Sequence, residues 1–257
     1  MSIQLIRYVL LAAIRDRMLW GVVAVSLLGT CLSIFSGSAA IIEQDQFVVT
    51  YIGGGVRLLS LIGLVLFVVF YTRRSFDARD VEFLLTRPIS RVSFVVSHVL
   101  AFTALAFFAA VFLTILVLGF SQGEGLESGL ALWSFGVFFE FVLVANTAYF
   151  FAMVLGSPVS AGLSSLGFYV LSRMMGGLLS IVHSYDVVDH FTIYKGLSWI
   201  MQAVAVIVPR LDLMVQTSWL IYGQVDLSDW LSVIAQGVVF LGLLMCATIF
   251  DLKRRQF

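Results

Sequence analysis

The chain has 257 residues, of which 61% are apolar and 12% charged, against roughly 45–50% and about 25% in soluble domains. Mean hydropathy is +1.05, and Lys+Arg and Asp+Glu number 15 each, so the net charge is zero. So few charges cannot cover a soluble surface of this size. A soluble enzyme, a disordered chain and a nucleic-acid binder are excluded, which leaves a single all-α polytopic membrane domain over residues 1–257.

Residues 1–17 come first. Ile3, Ile6, Leu10, Ala13 and Ile14 recur at helical spacing, with Gln4, Arg7, Arg15 and Arg17 elsewhere. The pattern predicts an N-terminal amphipathic helix lying in the membrane interface. The alternative is an extension of the first span. Residues 8–14 form a short apolar run, followed by Arg15-Asp16-Arg17 rather than a small-residue cleavage site, so no secretory signal is expected.

A bilayer core of about 30 Å needs about 20 apolar residues at 1.5 Å each. Six segments are long enough to be transmembrane helices: residues 18–42, 47–72, 93–120, 130–155, 159–182 and 230–250. Residues 183–229, before the sixth, are mixed. Residues 193–208 are apolar but short for a crossing and stop at Pro209. They predict a re-entrant or interfacial helix. Tyr185, Tyr194, Trp199, Trp219, Tyr222 and Trp230 flank the region, as at a headgroup boundary.

With six spans, eleven of the fifteen basic residues fall on one side. They are Arg7, Arg15, Arg17, Arg73, Arg74, Arg79, Arg87, Arg91, Lys253, Arg254 and Arg255. The other side carries Lys195 and Arg210 with most of the acids. The positive-inside rule then puts both termini in the cytoplasm of a multi-pass protein of the plasma or inner membrane. A seventh crossing would put the basic tail outside, which argues against one.

Residues 73–92 are the long charged cytoplasmic connection, between spans two and three. Ser75 is expected to cap a helix with Asp77 in its first turn. Phe76, Phe83 and Leu84 fall on one face, with Arg79, Asp80 and Glu82 on others. Arg87-Pro88 ends the helix, because the residue before proline avoids helical geometry. Ser90 then caps the third span. A short helix exposing apolar and charged groups together wants a partner.

Residues 80–94 read D-x-E-F-L-L-T-R-P-I-S-R-x-x-F. This run resembles the cytoplasmic loop of the type-2 permeases of ABC transporters, where E-x-L-L-[S/T]-R-P-[I/L]-S-R is common. The amphipathic start, six spans and basic C-terminal end are similar along the whole chain; the motif itself covers about 20 residues. The resemblance implies the transmembrane half of an ATP-driven transporter, with this loop as a coupling helix seated in a groove of a separate ATPase subunit. By position, Asp80 and Glu82 would be the acidic contacts, Phe83 and Leu84 the apolar anchor, Arg87 and Arg91 the basic brackets, and Pro88 the bend. The bland alternative, positive-inside anchors at a turn, explains the arginines but not the acids and aromatics between them.

The chain has no G-x-x-x-x-G-K-[S/T] phosphate loop; Gly53-Gly54-Gly55 opens an apolar span and lacks the lysine. No cofactor is therefore expected on this chain, and ATP and Mg²⁺ belong to the ATPase dimer. A second permease copy, identical or not, is implied as a partner. So are membrane lipids and an optional extracytoplasmic accessory protein. The resemblance favours export, or extraction from the membrane, over import, with force transmission to an extracytoplasmic protein as a variant. A reading from another class is an ATPase-independent intramembrane enzyme or scaffold.

Three ionisable residues fall inside spans: Arg57, Glu140 and Arg173. Each is costly there and a functional candidate. Glu140 and Arg173 flank the turn Gly156-Ser157-Pro158 at equal separation, which puts both about 24 Å from the cytoplasmic end. Arg57 reaches a similar level. Glu140 is expected to pair with Arg173, leaving Arg57 for a dimer axis or an anionic headgroup. The alternatives of a structural pair and a substrate-facing pair stay open. Asn146, Gln202 and Gln236 are expected as interhelical glue. Cys31 and Cys246 read as small buried hydrophobes. His183, Asp186, Asp189 and His190 have metal-ligand chemistry, but without cysteine they read as a solvated acidic loop, and no metal site is expected. No nucleophile–base arrangement stands out, so catalytic residues are not expected either.

Overall fold

A computed structural model describes residues 3–38, 44–78, 90–121, 126–184, 199–200, 204 and 208–254. Every regular element among them is helical. Helix α1 is Ile3–Arg15 and α2 is Arg17–Gly37. Then come α3, Gln44–Tyr51, a π-helical turn, Ile52–Val56, and α4, Arg57–Asp77. Helices α5, Arg91–Leu118, α6, Glu127–Val154, and α7, Pro158–Ser184, follow. Two short helices, α8, Leu211–Met214, and α9, Ser218–Tyr222, precede α10, Leu227–Arg254.

Five of these stretches are long and apolar enough to cross a membrane: Trp20–Gly37, Gln46–Asp77, Arg91–Leu118, Glu127–Val154 and Leu227–Arg254. The expected fifth of six spans is α7. Its 27 residues are sufficient in length, and it is not among these five.

Helix ends follow local chemistry. Pro158 starts α7, where its missing N–H costs nothing. The Asp226 N–H donates to Asp229 Oδ2 at 3.1 Å ahead of α10, and Lys253 and Arg254 lie in that helix's last turn, against the negative end of its dipole. Gly223 takes a left-handed φ of 65° to end α9. Ser90 Oγ accepts from the Ser93 N–H at 3.1 Å and caps α5. Ser90→Ala is expected to cost about 1 kcal/mol of stability, read as a small drop in the thermal unfolding midpoint of the purified protein.

The expected cap at Ser75 is corrected. Helix α4 runs through it to Asp77, and the Ser75 hydroxyl donates to the Tyr71 carbonyl at 3.1 Å, one turn back. An Arg73–Asp77 pair at 2.9 Å supports the same last turn. A serine donating to the carbonyl four residues earlier satisfies its hydroxyl without starting a new helix.

Helix α6 is the hub. It packs against α4, α5, α7, α8, α9 and α10. Buried residues make up 72% of its membrane-length window, against 17% for α10, so α6 forms the centre and α10 the rim. Trp133, Phe141 and Tyr149 lie fully inside. Within a bilayer, lipid is as apolar as leucine, so close packing and polar contacts must supply the association. Helix α2 follows this rule. Ser26 Oγ lies 3.0 Å from Ser60 Oγ on α4, and Ser33 Oγ donates to the Val48 carbonyl of α3 at 3.2 Å. The exposed surface is apolar along the spans, as at Leu28, Phe35, Phe108 and Val238. Cys31 and Cys246 belong to that surface: both are exposed free thiols, not buried hydrophobes. On a membrane-length helix an apolar group needs no burial in protein.

Helix α1 packs on α5 and α2. Its buried face is Leu5, Val9 and Ala13, with Ile6 and Leu10 partly covered, whereas Ile3 and Ile14 are exposed. The packed stripe is thus rotated from the expected one, because tertiary contact with α5 selects which apolar residues are covered. One end of the bundle is tied by two arginines. Arg73 donates to the Leu155 carbonyl at 3.1 Å, and Arg91 to the Leu252 carbonyl at 3.0 Å. The end of α4, the α6–α7 turn, the start of α5 and the end of α10 therefore share that end.

Candidate functional site

The buried charges converge at the opposite end. Helix α4 supplies Arg57, α6 supplies Glu140 and α7 supplies Arg173. Arg57 Nε lies 3.6 Å from Glu140 Oε2, and Arg173 Nη1 lies 3.9 Å from Glu140 Oε1. The Glu140 side chain is fully buried, Arg57 is 5% exposed and Arg173 27% exposed. Both separations exceed hydrogen-bond length. The cluster is held by charge. Tyr169, one turn before Arg173 on α7, lies within electrostatic reach of all three, and its hydroxyl approaches the Glu140 carboxylate.

The π-helical turn explains why Arg57 is present. Gly53-Gly54-Gly55 lets the helix widen by one residue. That insertion turns everything after it by about 100°, and Arg57 is the first residue affected. At Gly53 the backbone also lies close to its neighbours: an added Cβ would come within 2.9 Å of Leu220 and 3.5 Å of Trp133. Arg57 is therefore not left apart from the expected pair. It faces Glu140 together with Arg173.

Arg173 has a second task. Its Nη1 donates to the Leu211 carbonyl at 2.8 Å and its Nη2 to the Val215 carbonyl at 2.9 Å. Those carbonyls belong to α8 and the residue after it, so one guanidinium ties a cap of residues 208–225 to the buried carboxylate. The cap is well seated: Leu211, Met214, Val215, Trp219 and Leu220 are buried. Two glycines on α6 receive its backbone. A Cβ on Gly136 would fall on the Met214 carbonyl oxygen, and one on Gly129 on the Trp219 carbonyl oxygen. Gly176 of α7 likewise lies against the Asp212 carboxylate, which Arg210 holds at 3.0 Å. The Arg210 N–H donates to Gln236 Oε1 at 3.2 Å, joining the cap to α10.

The re-entrant segment expected at residues 193–208 lies mostly outside the described residues. Of its described residues Trp199, Ile200 and Val204 are helical, and the cap's two short helices come after Pro209. The sequence reasoning missed the cap's seat, although one signal was present: Gly129 and Gly136 are two turns apart on one face of α6, the spacing that lets backbones approach. It also missed a buried aromatic cluster nearer the other end, where His98 stacks on Tyr149 at 5.6 Å with Phe102 and Tyr71 beside it. Of the glue residues, Gln236 bridges elements, Gln202 lies outside the described residues, and Asn146 bonds within its own helix, to the Val142 carbonyl at 2.8 Å.

Of the residues expected at the ATPase contact, Asp80, Glu82, Phe83, Leu84, Arg87 and Pro88 lie outside the described residues. Arg91 is described, and it reaches the end of α10. Asp186, Asp189 and His190, and the His183 side chain, are also outside them. Among the described residues no cluster of three metal-ligating side chains occurs.

The chain matches no protein-family model, and no curated protein matches it.

Proposed function

We propose that this chain is the membrane subunit of an ATP-driven transporter and performs no catalysis itself. It would couple ATP hydrolysis on a separate ATPase dimer to export of a substrate, or to its extraction from the cytoplasmic membrane. The observation that carries the reading is the run at residues 80–94, where acidic, aromatic and arginine side chains alternate around Pro88 on a short loop between two spans. Arginines alone would anchor a loop; Glu82 and Phe83 among them suit a partner's groove.

The architecture supports this reading. In it α7 is the fifth of six crossings, α1 lies in the cytoplasmic interface, and both termini are cytoplasmic. The loop then leaves from the end of the bundle where Arg73 and Arg91 tie the helix ends. A push on that loop would reach α4 and α5 directly, and through α4 the layer at Arg57. Two such subunits would enclose the path.

Affinity purification of the tagged chain from its native membrane tests the reading. An ATPase is expected to co-purify, and Glu82→Ala with Phe83→Ala is expected to reduce its recovery about tenfold or more, since an aromatic anchor and its charged neighbour commonly dominate such a contact. Undiminished recovery of the ATPase, or none with the wild-type chain, would remove the coupling assignment.

A further inference from the structure

The charges at the capped end do not balance. Arg57, Arg173 and Arg210 face Glu140 and Asp212, which leaves one positive charge in excess among the described residues. Arg57 makes the excess hard to tolerate. Its side chain is 5% exposed, and its Nε and Nη1 have no hydrogen-bond partner among the described residues. Two guanidiniums that share one carboxylate in a low-dielectric site are costly and call for a further counter-charge. Arg173 provides the way in. It is the partly exposed member, and on α7 it is flanked by Val170 and Met174, which are both exposed apolar residues. It lies 15 residues into α7, about 22 Å along a core of about 30 Å. A side chain of its length can reach the headgroup level from there.

We propose that the Arg173 edge of this cluster binds a phosphate group with net negative charge, the headgroup of an anionic lipid or a free phosphate ion, which neutralises the excess charge shared with Arg57. The inference rests on α7 crossing the membrane as the fifth of six spans and does not depend on the transport reading. Lipid headgroup and free ion have the same binding chemistry. The apolar flanks at Val170 and Met174 suit acyl chains.

The full-length chain in nanodiscs tests this. The probes are phosphatidylcholine alone, phosphatidylcholine with phosphatidylglycerol, and phosphatidylcholine with inorganic phosphate in the buffer. The readouts are the thermal unfolding midpoint and the bound lipid retained in native mass spectrometry. Wild type is expected to be stabilised by phosphatidylglycerol or by phosphate; the first alone assigns the site to a lipid headgroup, the second to a free anion. Arg57→Gln, which touches no cap carbonyl, is expected to weaken the response about tenfold, the effect of one charge-assisted contact. Arg173→Lys keeps the charge and is expected to retain it. Arginines at the other end of the bundle also attract anionic lipid, so Arg7→Gln, at an exposed position of α1, is the control for that general attraction and is expected to change the response far less than Arg57→Gln does. A wild-type chain indifferent to both probes, or an Arg57→Gln chain responding as wild type does, overturns the proposal.

Discussion

Replacing Glu140 by Gln is expected to lower stability by about 3–5 kcal/mol, because it leaves two guanidiniums facing each other in a buried layer with no carboxylate between them. The shape is preserved, so the loss reports charge rather than packing. For a chain of this size that is a drop of about 10 °C in the unfolding midpoint, measured by differential scanning fluorimetry in detergent or nanodiscs. A second variant makes the cause specific. Glu140→Gln combined with Arg57→Gln removes one unpaired charge as well and is expected to recover part of the loss, since residues in one network do not add. A midpoint within about 1 °C of wild type for Glu140→Gln alone would mean that the three charges do not hold α4, α6 and α7 together. The same would follow if the double variant were worse by the sum of the singles.

The second large effect is expected at Gly136. An alanine there would drive its Cβ into the Met214 carbonyl oxygen. The obstacle is backbone, fixed in turn by the Arg173 hydrogen bonds to Leu211 and Val215. The cap must lift or α6 must move, at a cost of about 1–3 kcal/mol or more. Gly177→Ala is the matched control. Its Cβ meets nothing within 4 Å, and alanine is the better helix former, so it is expected to be neutral or slightly stabilising, by about 0.5–1 kcal/mol. Limited proteolysis reads the difference directly: Gly136→Ala is expected to expose residues 208–226 to faster cleavage, and Gly177→Ala to leave the rate unchanged. Equal rates in both would show that the cap does not depend on its seat at Gly136. Arg173→Gln is expected to loosen the same segment. Combining it with Gly136→Ala should then add little, because each change releases the same contact.

Much of the helical frame was legible because composition leaves few alternatives. A run of about 20 apolar residues has one economical conformation in lipid, and the helices at Arg91–Leu118, Glu127–Val154 and Leu227–Arg254 begin and end within a few residues of the expected spans. The second span was legible in extent but not in shape, since three glycines in a row permit a π-helical turn without requiring one. Helix α7, Pro158–Ser184, matches the expected fifth span in extent, and the interest lies in Arg173 within it. The layer of Arg57, Glu140 and Arg173 was legible in depth, because residue counts from a turn convert to distance at a constant rise. The Glu140–Arg173 pair was legible too, across the α6–α7 turn, whereas Arg57 joining it was not, because that depends on the rotation of α4.

Composition and the linear order of charges determined by themselves that this is a helical membrane protein with basic connections gathered toward one end, since burying a polar backbone in lipid and moving charge across it are both costly. Tertiary structure alone decided that Arg57 joins Glu140 and Arg173, that Arg173 also clamps the cap, and that the glycines of α6 receive its backbone. Those facts depend on which helices touch and at what rotation, and both are set by contacts between residues distant in the chain.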